Sequence, residues 1–278
     1  MADDVTPLAS LSLTHVYYNP DDPISLLCAW LALVPQALCV VYATLIWSTR
    51  EAEVALMFAG QLACEAVNFA LKRLIKQERP RHVILHGATK GYGMPSSHAQ
   101  FAFFWAVALT LFLLVRHQPL SSPPPPSSRP PRPRKKGEDE REGGGGGGGG
   151  VVARWNADIE RYAHEPWSLA QRALVSFAAL VVATLVAWSR IYLGYHTAQQ
   201  VLVGCVAGVG SALAWFGVTY FARQSGLLAW ALEMPVARWF RLRDLIVEED
   251  LCQAGWEKWE ARRREAELRK EAKGQKSL

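Results

Sequence analysis

Lys72 with Arg79-Pro80, Pro95-Ser96-Ser97-His98, and Ser189-Arg190 with His196 are three short clusters far apart in the chain. Together they hold what a metal-free phosphoryl-transfer site requires, namely fixed cations and two imidazoles. Arg79 and Arg190 offer forked, two-bond contacts to phosphate oxygens, and Lys72 supplies a point charge. Ser96 and Ser97 stand where an apolar helix begins. Serine there can simply cap the helix, but the same free N–H groups and positive helix end bind anions. His98, next in line, is placed to give a proton to a leaving oxygen. An imidazole nitrogen of His196 can attack phosphorus and form a phosphohistidine. Its other nitrogen then needs a partner to fix the tautomer, and Gln200 lies one turn further on.

Each cluster sits at the end of an apolar run. Half of the 278 residues are apolar, and they concentrate in stretches long enough to cross a bilayer: about 24–47, 54–75, 99–115, 169–188 and 197–222. A shorter stretch, 227–240, carries Glu233 and Pro235 and reads as interfacial. The expected fold is all-α, a polytopic membrane helical bundle of about five to six transmembrane helices. The net charge of +5 is modest, and the excess lies in the flanks of the apolar runs. That pattern suits a bilayer as partner and argues against a nucleic-acid binder. Met1-Ala-Asp-Asp has no positive n-region, so the first apolar run is expected to be an uncleaved insertion signal. Cys28, Cys39, Cys64 and Cys205 lie within apolar runs and Cys252 near the tail; their spacing fits no zinc site, and buried structural thiols are expected.

Residues 11–222 are expected to form a membrane catalytic domain, interrupted by a Pro/Gly-rich disordered linker at 119–156 that contains the unbroken Gly143–Gly150. Residues 223–278 form the interfacial segment and a charged tail whose stretch 256–273 reads as an exposed helix. Counting crossings puts all three clusters on one side, opposite the linker and the tail. Those carry most Lys and Arg, so that side is cytosolic and the clusters face a lumen or the exterior.

The chain resembles the type-2 phosphatidic acid phosphatase superfamily, whose motifs are K-x6-RP, PSGH and SR-x5-H-x3-D. Within it the likeness is to the dolichyl diphosphatase branch. Further supporting stretches are Ser12-Leu-Thr-His-Val16, Glu65-Ala-Val-Asn68, Gly93-Met94 and Tyr192-Leu-Gly-Tyr-His-Thr197. The resemblance implies His196 as nucleophile and His98 as acid, then base. Lys72, Arg79, Ser96, Ser97 and Arg190 would stabilise the transferring group, with Tyr192 beside the substrate. No cofactor, metal or protein partner is implied. The substrate would be a polyprenol diphosphate, cleaved on the lumenal side of the endoplasmic reticulum membrane. A broader lipid-phosphate phosphatase and a non-catalytic membrane binding or scaffold protein are the competing readings. Ser97 replaces the motif glycine and Gln200 the motif aspartate, as in the dolichyl branch. A glutamine oxygen can hold a tautomer without neutralising an imidazolium. Glu65 shares a helix face with Asn68 and Lys72, and it either supplies that missing charge or only pairs with Lys72. Phe101, Phe103, Phe104 and Trp105 either line a groove for an isoprenoid chain or pack against lipid and neighbouring helices. Superfamily members usually have a six-helix core. Here either one helix is absent or residues 11–30 supply a re-entrant or interfacial piece.

Overall fold

The computed structural model describes residues 9–11, 16–80, 92–117, 167–247, 255–256, 258–263 and 265–266. The expected linker at 119–156 lies outside these residues, as do the basic loop beyond Pro80 and most of the charged tail. Two compact units are distinguished, one comprising 1–117 with 169–247, the other 118–168 with 248–278. In the second, residues 255–266 are helical where described, and Trp256 stacks on Trp259 with centroids 4.9 Å apart.

The first unit opens with an antiparallel ribbon of β1 (Ala9–Leu11) and β2 (Val16–Tyr18), in the register Ser10 opposite Tyr17. Helix α1 (Pro23–Leu31) follows, started by Pro23 in its first turn and capped by the Asp22 carboxylate on the Ile24 N–H. The helix breaks at Ala32-Leu33, and α2 (Val34–Thr49) resumes with Pro35 in its first turn, where proline's missing N–H costs nothing. Then come α3 (Ala52–Ile75), α4 (Ser97–Leu111) with a π-helical turn at Phe112–Arg116, α5 (Leu169–Tyr192) and α6 (Ala198–Gln224). Among the described residues, five helical segments are long and apolar enough to cross a membrane: 23–49, 52–75, 97–116, 169–192 and 198–224. They fall within a few residues of the expected runs. The stretch after α6 is two short helices, α7 (Leu227–Glu233) and α8 (Pro235–Trp239), broken where Pro235 begins the second.

Helix α4 is the hub, flanked by α6, α5 and α3. Its contact with α6 depends on two glycines one turn apart. A Cβ at Gly204 would lie 2.7 Å from the Ser96 carbonyl oxygen, and one at Gly208 would be 3.1 Å from Phe103 Cβ and from the Phe104 nitrogen. This small-xxx-small pattern lets the α6 backbone touch the start of α4. Against α5 the same helix packs Ala102 and Ala106 on Ala179, Ala183 and Val186. Towards α3 the amides of Asn68 and Gln100 bond across the helices. Asn68 Nδ2 donates to Gln100 Oε1 (2.7 Å), and Gln100 Nε2 donates to the Cys64 carbonyl (2.9 Å). We expect Gly204→Leu to be far more disruptive than Gly210→Leu, whose added Cβ meets nothing within 4 Å. Overpacking should lower the thermal midpoint by the equivalent of about 1–3 kcal/mol and cut turnover, because the displaced atoms belong to Ser96.

The end of the bundle away from the three clusters is closed by ion pairs. Glu53, 2 % exposed, accepts from Arg116 (2.5 Å) and Arg223 (2.5 Å), and Arg223 also pairs with Asp244. Fully buried Glu51 accepts the N–H groups of Leu245 (2.8 Å) and Ile246 (3.1 Å), which pins the segment after α8 onto the start of α3. Glu53→Ala would leave Arg116 without a carboxylate and Arg223 with Asp244 alone, and a loss of about 3–5 kcal/mol of stability is expected in a denaturation titration.

Candidate active site

Sequence-distant stretches meet where α3 ends, α4 begins and α5 turns into α6. Helix α3 stops at Lys76, whose left-handed backbone (φ 53°) lets its N–H close on the Lys72 carbonyl (3.1 Å). The chain then turns back, carrying Arg79. Helix α5 ends similarly, with Gly194 at φ 71°. There a side chain would be strained, and the turn returns the His196 N–H to the Arg190 carbonyl (3.2 Å). Three hydrogen bonds then join the three stretches pairwise. The Ser96 N–H donates to the Gln200 carbonyl (3.1 Å), Gln200 Nε2 to the Glu78 carbonyl (2.9 Å), and the Gly93 N–H to the Gln77 carbonyl (2.7 Å).

His196 is buried, with its Nδ1 3.2 Å from Gln200 Oε1. The Gln200 amide can face only one way, because its NH2 donates to the Glu78 carbonyl and its oxygen also accepts the Thr197 N–H (3.3 Å). The oxygen therefore accepts from His196 as well. Nδ1 must carry the hydrogen, and Nε2 keeps its lone pair. Burial, then the nearby Arg190 and Arg79, push the His196 pKa down to about 3, so the imidazole is neutral at physiological pH. Gln200 also completes a capping box with Thr197, so one side chain starts α6 and orients the ring. Leaving the Nδ1–H unpaired costs roughly 1–3 kcal/mol. Gln200→Leu should therefore slow turnover about 10- to 100-fold, and Gln200→Asp should keep the contact.

Around this ring, Lys72, Arg79 and Arg190 all lie within electrostatic reach. The Arg190 guanidinium is 3 % exposed and sits over the Tyr195 ring, 4.4 Å from its centroid. Its Nε and Nη1 find no hydrogen-bond partner among the described residues. Fully buried Ser96 is the N-cap residue of α4 but makes no side-chain cap bond, and its Oγ is likewise unpartnered there. Ser97 begins the helix, with its N–H among the first-turn donors that no helical carbonyl can take. His98 lies in electrostatic reach of His196, Arg190 and Lys72, and its Nε2 is 3.2 Å from the Ala32 carbonyl. Donors and cations from the three stretches thus lie in electrostatic reach of two imidazoles, an arrangement suited to holding and transferring a phosphoryl group.

Not every expected residue joins it. The Tyr192 hydroxyl donates to Asp22 Oδ2 (2.7 Å), so this side chain ties α5 to the cap of α1. Glu65 has Lys72, Cys39 and Cys64 as its electrostatic neighbours and makes no recorded contact with His196. Phe101 and Phe104 are buried, and Phe104 packs with Cys64 and Ala212, so the aromatic cluster fills the bundle rather than a groove. Sequence reasoning missed Tyr195, the plate beneath Arg190. It also missed Gly93, where a Cβ would lie 2.9 Å from the Gln200 amide atoms and 3.0 Å from Arg79 Cγ. Both residues lie in stretches that carry the family resemblance, but chain order reveals the partner of neither. No group of three or more His, Cys, Asp or Glu side chains that could hold a metal ion occurs among the described residues.

Residues 53–224 match the family model described as "PAP2 superfamily". The chain belongs to the PAP2 superfamily. A Neurospora crassa protein named "Putative dolichyldiphosphatase" is 73% identical over 98% of this chain and 100% of its own length. "Dolichyldiphosphatase 1" of Dictyostelium discoideum is 31% identical, covering 88% of this chain and 87% of its own. The Homo sapiens protein of the same name is 31% identical over 96% and 93%. No solved structure matches. Within the PAP2 superfamily, then, this chain stands with the dolichyldiphosphatases, and its matched region spans all three clusters and the four helices that carry them.

Proposed function

We propose that this PAP2 protein hydrolyses dolichyl diphosphate to dolichyl monophosphate and phosphate through a phosphohistidine on His196. The observation that carries the chemistry is the neutral, oriented His196 with Lys72, Arg79 and Arg190 around it. The names of the similar proteins supply the substrate. His196 Nε2 attacks the terminal phosphorus, and the bond to the bridging oxygen breaks. His98 gives that oxygen its proton, and the lipid monophosphate departs. A water then attacks the phosphohistidine, His98 takes the water's proton, the P–N bond breaks and phosphate leaves. Lys72, Arg79, Arg190, the Ser96 hydroxyl and the Ser97 N–H neutralise charge on the moving phosphoryl oxygens. These cations do the work without a metal.

The site faces the lumen of the endoplasmic reticulum on this reading, so the product re-enters the glycosyl-carrier pool for N-glycosylation. Arg50, Arg116, Arg172, Arg223, Arg241 and Arg243 gather at the opposite end of the bundle, which supports that orientation by the positive-inside rule. The test is phosphate release by the purified protein in EDTA from dolichyl diphosphate, phosphatidate and a sphingoid phosphate. Rapid release from the diphosphate alone is expected. Equal rates on the monoesters would favour a general lipid phosphatase, and binding without release would favour a scaffold.

A further inference from the structure

Three tethers run from residues 17–32, upstream of the family-matched region, to His98 and to the turn that carries Arg190 and His196. The Tyr17 N–H donates to the Tyr195 hydroxyl (2.8 Å), whose ring supports Arg190. Asp22 accepts from the Tyr192 hydroxyl. The Ala32 carbonyl meets His98 Nε2 at 3.2 Å. Beneath these tethers Val16, Ala29 and Ala32 are buried against Tyr195, with Tyr18 and Leu193 alongside. The break between α1 and α2 is what makes the third tether available. Helix α2 starts only at Val34, so among the described residues no backbone N–H takes the Ala32 carbonyl.

We propose that Tyr17, Asp22 and Ala32 are the anchor points of a positioning strap for the reaction, and that the Ala32 carbonyl holds His98 as its Nε2–H tautomer so that Nδ1 handles the proton. A carbonyl only accepts, so the ring nitrogen facing it must donate. The cycle starts from the doubly protonated ring: in the first half-reaction Nδ1–H protonates the bridging oxygen as the P–O bond breaks, which leaves the neutral Nε2–H ring. In the second, the Nδ1 lone pair takes a proton from water as the new O–P bond forms and the N–P bond breaks. Nε2–H stays on Ala32 throughout, so the ring cannot turn between the two steps. The family motifs alone leave this anchor out, because it belongs to a helix end outside them. The proposal rests on His98 acting as the acid.

The first test needs no turnover. Full-length protein labelled with 15N-histidine, in detergent, is observed in two-bond 1H–15N correlation spectra, and the His98 ring is assigned by its loss in His98→Gln. A protonated Nε2 and a bare Nδ1 in the neutral ring are expected. An Nδ1–H ring, or averaging between tautomers, would overturn the tether even in an active enzyme. The expected spectrum from a protein that releases no phosphate would instead refute the proposed function and leave the tether standing. The second test compares Ala32→Val with Ala29→Val. Both alanines are fully buried in one cluster, and only Ala32 meets His98. Displacing the carbonyl should cut kcat about 10- to 100-fold at similar KM, whereas Ala29→Val should lose comparable thermal stability with kcat within about twofold. Equal kcat losses would overturn the proposal. If Ala32→Val does not fold, the spectrum of the unaltered protein decides.

Discussion

His196→Ala is expected to lower phosphate release from dolichyl diphosphate by at least about a thousandfold. The variant removes the attacking nitrogen and leaves the cations that bind the diphosphate, so KM should change much less than kcat. Little else at the site could replace it. Ser96 has no adjacent general base among its recorded contacts, and His98 is committed to the Ala32 carbonyl through one nitrogen. The acid behaviour of the folded protein should change as well. In the native site His196 is held at about 3 against an ordinary 6.5, first by burial and then by Arg190 and Arg79. Between those values the unfolded chain binds a proton that the folded chain refuses. Native stability from this group is therefore complete above the unfolded value and falls as pH drops through the window. His196→Ala should lose that part of the acid sensitivity, which denaturation titrations at several pH values would read.

Arg190→Ala is expected to cost about 10²–10³ in kcat/KM, the scale of removing one preorganised donor from charge that develops in a transition state. Arg190 is the best-prepared of the three cations. It is 3 % exposed, its guanidinium sits over the Tyr195 ring, and its Nε and Nη1 have no protein acceptor among the described residues. Arg190→Lys should recover only part of the loss, because an ammonium is a single point and cannot make the fork. Added guanidinium at millimolar concentration should partly rescue the alanine variant and not the lysine one. Full activity in Arg190→Lys would mean that charge alone matters and that the fork geometry has been given too much weight. Tyr195→Phe, which keeps the ring but drops the tether to Tyr17, separates the plate from its anchor.

Much of this architecture is readable before any coordinates. A span of about 20 apolar residues has few alternatives to a membrane helix, and five such spans fall near their expected bounds. The clusters were readable because Lys, Arg and His at the ends of apolar runs are chemically conspicuous. What could not be read depends on pairing. Strands of three residues, such as Val16–Tyr18, leave no periodic trace, and the break at Ala32-Leu33 is hidden inside one continuous apolar run. Gly204 and Gly208 form a visible repeat, but only α4 lying against them explains it. Asn68 was placed on the face of Lys72, yet its partner is Gln100 on another helix. Glu51 and Glu53 look like ordinary interfacial acids until Arg116, Arg223, Arg243 and the Leu245 amide arrive from remote parts of the chain. The aromatic run on α4 is ambiguous for the same reason, since a helix surrounded by neighbours has no outward face to assign.

The central claim is that three remote stretches build one phosphoryl-transfer site with His196 as the attacking group. Its most direct test is rapid quenching of the purified protein with dolichyl diphosphate labelled in the terminal phosphate, followed by peptide mapping. An acid-labile, base-stable label on the peptide containing His196, formed and lost at rates consistent with turnover and absent from His196→Ala, is the predicted result. Turnover in wild type with no trapped label under any quench condition, or persisting turnover in His196→Ala, would contradict it.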